Sequence, residues 1–421
     1  MIRSTSHSLK FSNAEKRKEI SLFVDEYRQL LQSIINYAWL HGIPEFDFDQ
    51  SKNKLDMKSL LPTTFLKQID TNLSARLKQS AGKQAIMMLK AACKKRQKQL
   101  WMLNKLQRKG ELTGKLQSKI DRQALIKPNA INANLELDSR FVDLSDTAKT
   151  FDFIRISSIG DKRSIKMPIK HTKPFKKWSS RGTLKNSVRL SKDNLWLMFD
   201  VKETKQSGTE TVGADQGILT TLTLSNGSIT KPCNHGHTLK QIQHKLSLRK
   251  KGSNGFAEAQ EHRKNYINWS LNQLSFAGIK EVRLEKIKNI RFKNKNTRYL
   301  SHWKYTLIKD KLVRLGEEKG FQLSEIPNEF RSQRCSFCGW VRKANRKGKT
   351  FCCNRCGNTM DADLNAASNL KLDLFLVPYW VRQQQINRKG FLWKSDGLFY
   401  ADGKPIVSHA QKATDGNKKP C

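Results

Sequence analysis

The chain has 421 residues, enough for two or three domains with a substantial core. Its 79 Lys and Arg against 37 Asp and Glu give a formal charge of +42. That excess attracts polyanions, nucleic acid above all, and excludes an ordinary enzyme of small neutral metabolites. No apolar run approaches the ~20 residues of a membrane span. The opening Met-Ile-Arg-Ser-Thr-Ser-His lacks the apolar core of a signal peptide. A soluble, cytoplasmic, nucleic-acid-associated protein with no membrane partner is expected.

Residues 1–11 alternate loosely and read as a short strand. Ser12-Asn-Ala-Glu15 is a capping-box pattern that starts a helix. Ile20, Phe23, Val24, Tyr27, Leu30, Leu31, Ile34 and Ala38 follow at helical spacing, and Gly42 and Pro44 end it. A second helical region spans about 64–123. Its Met87-Met88 pair reads as core, and its basic run Lys94-Lys-Arg-Gln-Lys98 as a wet helix face or a track for a phosphate backbone. From 129 to about 203 the chain is β-rich, with turns at Gly160-Asp161 and Lys192-Asp-Asn194. Phe175-Lys-Lys-Trp178 interleaves aromatic and basic groups; a core Trp beside surface lysines is favoured over a nucleic-acid clamp. Residues 204–211 are polar and linker-like.

Two strand-like runs follow at 211–217 and 218–224, with a hairpin turn at Asn226-Gly227. Residues 239–276 read as a helical pair broken by Lys250-Lys-Gly-Ser-Asn-Gly255. Another strand leads to Glu285, and a helix over about 299–319 precedes a cysteine-rich module.

Three acids bracket that module. Asp215 stands in Val212-Gly-Ala-Asp-Gln-Gly217, Glu285 ends the strand Glu281-Val-Arg-Leu-Glu285, and Asp363 lies in Asp361-Ala-Asp-Leu-Asn-Ala-Ala-Ser-Asn369. Phosphodiester hydrolysis needs an activated water and a stabilised leaving oxygen, which two Mg²⁺ ions ~3.5–4 Å apart supply. Mg²⁺ is hard and takes carboxylate oxygens, so all three acids are candidate magnesium ligands and catalytic residues. Singly, each is more often a turn, cap or strand-end residue; together, in a basic chain, they favour a metal site. Two strand acids and one helix acid are compatible with an RNase H-like site. Asp361 is a rival to Asp363, which is preferred for the small-residue run after it.

Cys335-Ser-Phe-Cys338-Gly and Cys353-Asn-Arg-Cys356-Gly form two knuckles, each closed by a glycine. Four thiolates close one tetrahedral structural Zn²⁺ site with no position for water, a reading favoured over a redox dithiol. Cys352 breaks the spacing. Arg331, Arg334, Arg342, Lys343, Arg346, Lys347 and Lys349 crowd around the knuckles, a density that suits phosphate contact.

Ser332-Gln-Arg-Cys-Ser-Phe-Cys-Gly339, Phe351-Cys-Cys-Asn-Arg-Cys-Gly357 and the Asp361–Asn369 run together resemble the C-terminal signature of TnpB-like proteins. These are transposon-encoded RNA-guided nucleases related to the miniature type V CRISPR effectors. Val212-Gly-Ala-Asp-Gln-Gly217 is similar to their first RuvC motif and Leu284-Glu285 to their second; the stretch 244–253 also has a familiar look. Strong similarity covers about 211–372. Ala214, Gln216 and Lys286 depart from the family pattern.

The resemblance implies a multidomain α+β protein. A helical recognition lobe and a β-barrel-like wedge precede an RNase H-like (RuvC) α/β domain with an inserted zinc ribbon. The expected segments are a wedge strand at 1–11, the lobe at 12–128 and the wedge at 129–205. The RuvC domain takes 206–330 and 359–375 around the ribbon at 331–358, and a tail covers 376–421. The resemblance further implies Asp215, Glu285 and Asp363 as catalytic metal ligands and Arg334 as a catalytic assistant. The implied partners are a non-coding guide RNA and target double-stranded DNA, bound by a monomer or homodimer. Arg331, Arg342, Lys343, Arg346 and Lys347 are the candidate nucleic-acid contacts. The competing readings are a guide-dependent repressor that does not cut, a transposase with an RNase H-like triad, and an RNA-binding zinc protein. The aromatic stretch 391–403 reads as a hairpin or aromatic patch, and 412–421 as disordered.

Overall fold

A computed structural model describes residues 1–42, 61–108, 110, 114, 117–118, 125–148, 150–205, 208–287, 302–378, 381–382, 385–394, 399–401 and 404–405. The expectations for 109, 412–421 and most of 111–124 fall outside those residues. The chain divides into two compact units, Met1–Lys202 and Glu203–Cys421.

The first unit opens with β1 (Ile2–Ser8), which alternates exposed and buried side chains, and one turn of 3-10 helix. Helix α1 (Ala14–Gly42) buries the expected apolar stripe from Ile20 to Ala38. Its cap is Asn13, whose Oδ1 accepts the Lys16 N–H at 2.9 Å, and not Ser12, whose hydroxyl is buried. Among the described residues, the helical region expected over about 64–123 contains α2 (Thr63–Gln68) and α3 (Ala75–Arg108). Between them Thr71 Oγ1 accepts from Leu73 N and Ser74 Oγ from Leu77 N, so short polar side chains end one helix and start the next. Met88 packs against the core, but Met87 faces solvent.

Strands β2 (Leu135–Leu137), β3 (Val142–Thr147), β4 (Phe151–Ile156) and β5 (Ile165–Lys170) follow. Then come the short helix α4 (Lys173–Ser179), β6 (Gly182–Leu190) and β7 (Asn194–Val201). They form two antiparallel sheets, β1-β7-β6-β2 and β3-β4-β5. One hydrophobic core joins them to α1–α3. Phe175 is buried and Trp178 lies partly exposed under Lys177, a cation–π pair at 4.6 Å.

The second unit is built on a mixed sheet in the order β11-β10-β8-β9. Its strands are β8 (Glu210–Asp215), β9 (Thr223–Leu224), β10 (Ile279–Lys286) and β11 (Gln322–Pro327). Strand β10 runs parallel to both β8 and β11, and β9 is antiparallel to β8. Parallel neighbours need long crossovers. These contain α5 (Leu239–Leu248) and α6 (Asn254–Asn272) between β9 and β10, and α7 (Tyr305–Lys319) between β10 and β11. All three helices share a core with Val212, Ala214, Val282 and Leu284 on one sheet face.

The other face carries α8 (Ala362–Lys371). Side chains alternate along a strand, so Gly213 and Asp215 face away from Val212 and Ala214. A Cβ on Gly213 would lie 1.9 Å from the Ala367 carbonyl oxygen and 2.5 Å from the Lys371 nitrogen. Only glycine lets α8 approach this closely.

The cysteine module holds β12 (Trp340–Val341), β13 (Arg346–Lys347), β14 (Thr350–Cys352) and β15 (Thr359–Asp361). The tail supplies β16 (Phe391–Trp393), β17 (Phe399–Ala401) and β18 (Lys404–Pro405). Within the aromatic stretch, β16 pairs with the module: it lies antiparallel to β12, with Trp340 opposite Leu392. Phe391, Trp393 and Phe399 form a small core with Val341, Leu374, Val377 and Val381. Mixed α/β architecture in more than one unit is thus present; the strands of the first unit lie in two separate sheets among the described residues. No helix among those residues is long and apolar enough to cross a membrane.

Gly213→Ala is expected to lower stability by about 3 kcal/mol, because helix backbone and not a flexible side chain meets the new methyl. Urea unfolding followed by tryptophan fluorescence measures it; an unchanged midpoint would refute the close approach of α8.

Candidate metal centres

The acidic site is assembled from three elements. Asp215 ends β8 and Glu285 is next to last on the adjacent parallel strand β10, one position beyond the Ala214–Leu284 pair. Asp363 lies in the first turn of α8, which Gly213 draws onto the same face. Asp361 takes the competing role: its Oδ1 caps the helix, accepting from Asp363 N at 2.9 Å and Leu364 N at 3.0 Å. The cap leaves the Asp363 carboxylate to turn inward, where it is buried.

Glu285 and Asp363 have hydrogen-bond partners. Asn328 Nδ2 donates to Glu285 Oε1 at 2.9 Å, and Gln216 Nε2 donates to the Glu285 carbonyl at 3.0 Å. Arg346 donates to Asp363 Oδ1 at 2.9 Å. Lys349 donates to Asp363 Oδ2 and lies 3.2 Å from Thr220 Oγ1. Burial, then the charges of Glu285 and Asp363, hold the Asp215 carboxyl well above the usual carboxylate range, while Arg346 and Lys349 oppose that shift. Burial likewise raises Glu285, against the hydrogen bond from Asn328.

This donor set fits a hard divalent cation. Carboxylates that burial and mutual repulsion push toward protonation are the groups a Mg²⁺ would keep ionised. Gln216 adds an oxygen: its Oε1 is buried with no hydrogen-bond partner. The ligand atoms of the three carboxylates do not all lie within 4.8 Å of one another. Among the described residues the cysteines alone form such a group.

The cysteine cluster is that group. The sulfurs of Cys335, Cys338, Cys353 and Cys356 all lie within 4.8 Å of one another. Cys335 and Cys356 are 3.8 Å apart, and Cys338 and Cys353 3.6 Å. A tetrahedron of ~2.3 Å Zn–S bonds has edges of about 3.8 Å. The knuckle glycines Gly339 and Gly357 take φ of +78° and +75°. Burial raises the thiols of Cys338 and Cys353, whereas the Asn358 backbone N–H lowers Cys356 to about 7. The sulfur separations fit one Zn²⁺. Cys352 is exposed, paired in the ladder with Thr359, and Thr359 Oγ1 donates to its sulfur. Alternation along β14 turns it away from Cys353.

The predicted basic residues separate into two groups. Arg334 is buried and donates to the Trp393 carbonyl at 2.9 Å and to Asn369 Oδ1 at 2.7 Å. Its guanidinium braces the tail against the ribbon, and no hydrogen bond or ion pair from it to the three carboxylates is present among the described residues. Arg331 is buried too. It donates to the carbonyls of Pro327, Asn369 and Leu372. Burial lowers both guanidinium groups to about 10, still cationic at neutral pH. Lys343 and Lys347 are exposed, and Arg342 and Arg346 partly so.

Sequence reasoning placed Arg346 and Lys349 in the basic group suited to phosphate contact; neither was read as a partner of Asp363. It also missed Asn365 and Asn369, whose i, i+4 spacing was the available signal. Asn365 Oδ1 accepts from Ser336 N at 3.0 Å. Asn365 and Asn369 both donate to the Arg334 carbonyl, at 2.9 and 2.7 Å. They clamp the first knuckle onto α8.

Residues 305–370 match the family model described as Cas12f1-like, TNB domain. The chain is 33% identical over 139 residues to the CRISPR-associated endodeoxyribonuclease Cas12f1 of Sulfoacidibacillus thermotolerans, covering 33% of this chain and 32% of that protein. It is 32% identical over 95 residues to a TnpB-like protein of Aquifex aeolicus, covering 21% and 31%. It thus spans about a third of the length of each relative. A cryo-EM structure of a Cas12f1–sgRNA–target DNA complex gives a loose likeness, with 15% identity, a TM-score of 0.44, and coverage of 89% of this chain and 99% of that one. The resemblance to TnpB-like nucleases read from the motifs is borne out by the family model and the two sequence relatives.

Metal analysis of the purified protein is expected to give about one zinc per chain. Cys353→Ser should lose it and Cys352→Ser retain it; the reverse would misassign the fourth ligand. The raised carboxyls also have a sign. The folded, cation-free protein binds protons more tightly than the unfolded chain, so these groups favour folding as pH falls from their raised values to the ordinary range near ~4. At neutral pH they oppose folding. Asp215→Asn should therefore raise the melting temperature in EDTA at pH 7 and flatten its pH dependence; a lowered melting temperature there would contradict the charge crowding.

Proposed function

We propose that this chain is an RNA-guided DNA endonuclease that hydrolyses phosphodiester bonds at Asp215, Glu285 and Asp363 on an RNase H-like (RuvC) framework. The observation that carries the proposal is the convergence of three carboxylates. Two stand on neighbouring parallel strands and the third on a helix pressed against them, with Arg346 and Lys349 as counter-ions. The named activity of the Cas12f1 relative, an endodeoxyribonuclease, supports the DNA-cutting part of the reading.

The three acids would hold two Mg²⁺ ions, with Gln216 Oε1 close by as a further acceptor. When bound, such ions supply an activated water and stabilise the leaving oxygen. The chain's own groups do the rest. Asn328 and Gln216 fix Glu285 at its side chain and its carbonyl. Asp361 fixes the helix turn that aims Asp363. Arg346 and Lys349 neutralise Asp363 and concentrate positive charge where an anionic backbone would lie. Zinc is structural in this reading, since four thiolates leave no open position.

A non-coding guide RNA and target double-stranded DNA are the proposed partners, of a monomer or homodimer. Base pairing would read sequence while the protein reads duplex shape and a short flanking motif. Within the ribbon, Arg342, Lys343 and Lys347 are the backbone contacts proposed, with Arg346 shared between backbone and Asp363. Residues 12–128 are assigned as the recognition lobe, 129–205 with the first strand as the wedge, and 206–330 with 359–375 as the RuvC domain.

Expressed with its native flanking DNA, the protein should co-purify with one discrete non-coding RNA ending in a variable segment. With that RNA, Mg²⁺ and a matched duplex it should cut. Asp215→Ala and Asp363→Ala should reduce cutting to background while RNA and DNA binding persist. Heterogeneous RNA, or normal cutting by either variant, would overturn the reading.

A further inference from the structure

The basic turn between α5 and α6 serves neither the acidic site nor the cysteine cluster. Both the N–H and the hydroxyl of Ser253 donate to the Lys250 carbonyl, at 3.2 and 2.8 Å, and Gly252 completes the reversal with a φ of +89°. Ser253 Oγ then accepts from Phe256 N at 3.2 Å and caps α6. The turn is fixed by backbone and cap, so Lys250 and Lys251 stand on a preorganised platform. Both are exposed, and neither forms an ion pair among the described residues.

With Lys304, just before α7, these lysines line an open cavity of about 760 Å³. Its apolar wall is Leu248, which is 70% exposed, and Phe256. His302 meets the Phe256 ring edge-on at 5.6 Å. No Asp or Glu stands among the described residues of the lining. The first turn of α6 has no acidic residue either, so the positive end of that helix adds to the field.

The cavity is separate from the carboxylates. Helices α5 to α7 cover the face of Val212, Ala214 and Leu284. Asp215 and Glu285 alternate to the opposite face, with α8.

We infer that this cavity is a second nucleic-acid site. It seats the phosphates of a single strand on Lys250, Lys251 and Lys304 and packs a base against Leu248. An intact duplex presents phosphates but keeps its bases stacked, so the apolar wall beside the ammonium groups favours an unpaired strand. The inference rests on the nucleic-acid reading of the chain and adds to it a place for a strand away from the acids.

The test uses the full chain, freed of nucleic acid, and short labelled single strands of RNA and of DNA across a salt series. Lys250→Ala/Lys251→Ala should weaken binding about tenfold near physiological salt. It should also flatten the slope of log K against log salt by about 1.4, or about 0.7 for each phosphate that is no longer neutralised. Lys304→Ala, on a separate element, should weaken binding further. The exposed control pair Lys205→Ala/Lys319→Ala removes the same charge and should leave affinity within about twofold. All variants should melt with the wild type. A weakening confined to RNA assigns the cavity to the guide, and one confined to DNA to a target strand; either supports the site. An equal weakening in the control pair, or competition by a mononucleotide as strong as by a strand at equal phosphate, overturns it. So does an unaffected Lys250/Lys251 variant, and if the wild type binds strands, that result leaves the nuclease reading standing. A wild type that binds neither strand sinks both.

Discussion

The approach of α8 to β8 across Gly213 is the constraint on which the acidic site depends. A helix normally packs on a sheet at side-chain distance. Here the helix backbone lies against the strand backbone, because the strand offers no Cβ and the helix offers Ala366 and Ala367. That contact fixes Asp363 on the same sheet face as Asp215 and Glu285. Asp361 then acts as the cap that a helix start requires, which frees the acid two residues later for another purpose.

The same helix organises the ribbon. Asn365 and Asn369 reach one turn apart to the chain around the first knuckle, Arg334 returns a bond to Asn369, and Trp393 receives the other end of Arg334. Buried arginines are costly unless their donors are satisfied. Arg331 and Arg334 are satisfied by carbonyls, and both lie within cation–π distance of the Trp393 ring, at 5.5 and 6.0 Å. The tail strand therefore completes the ribbon with a third layer of contacts, beyond the reach of the zinc ligands themselves.

Local patterns were legible in the sequence, and long-range partnerships were not. The apolar stripe of α1, the strand ending at Glu285, the Asn226-Gly227 turn and the two cysteine knuckles each carry their signal within a few residues. The cap at Asn13 was misread by one position, because Ser12 and Asn13 are both good caps and tertiary packing chose between them. Arg331 and Arg334 looked like surface charges because charge predicts exposure. What buried them is a set of carbonyls contributed by α8 and by a tail some 60 residues away. Gln216 was recognised only as a departure from a motif. Its tie to the Glu285 carbonyl became visible once β8 and β10 were seen to be parallel neighbours.

Charge balance links the two metal centres. The chain carries +42, yet its buried carboxylates sit where their own repulsion disfavours ionisation. Arg346 and Lys349 offset that repulsion, and both belong to the β13–β14 hairpin between the second and third zinc ligands. That hairpin pairs with β15 in a three-stranded sheet whose strands are only two or three residues long, too short to be stable alone in water. A four-thiolate zinc site contributes folding free energy of ~10–16 kcal/mol in small modules, enough to hold such a hairpin in place. A zinc held by the four thiolates would thus act on the three carboxylates at one remove, by fixing the two cations that Asp363 meets.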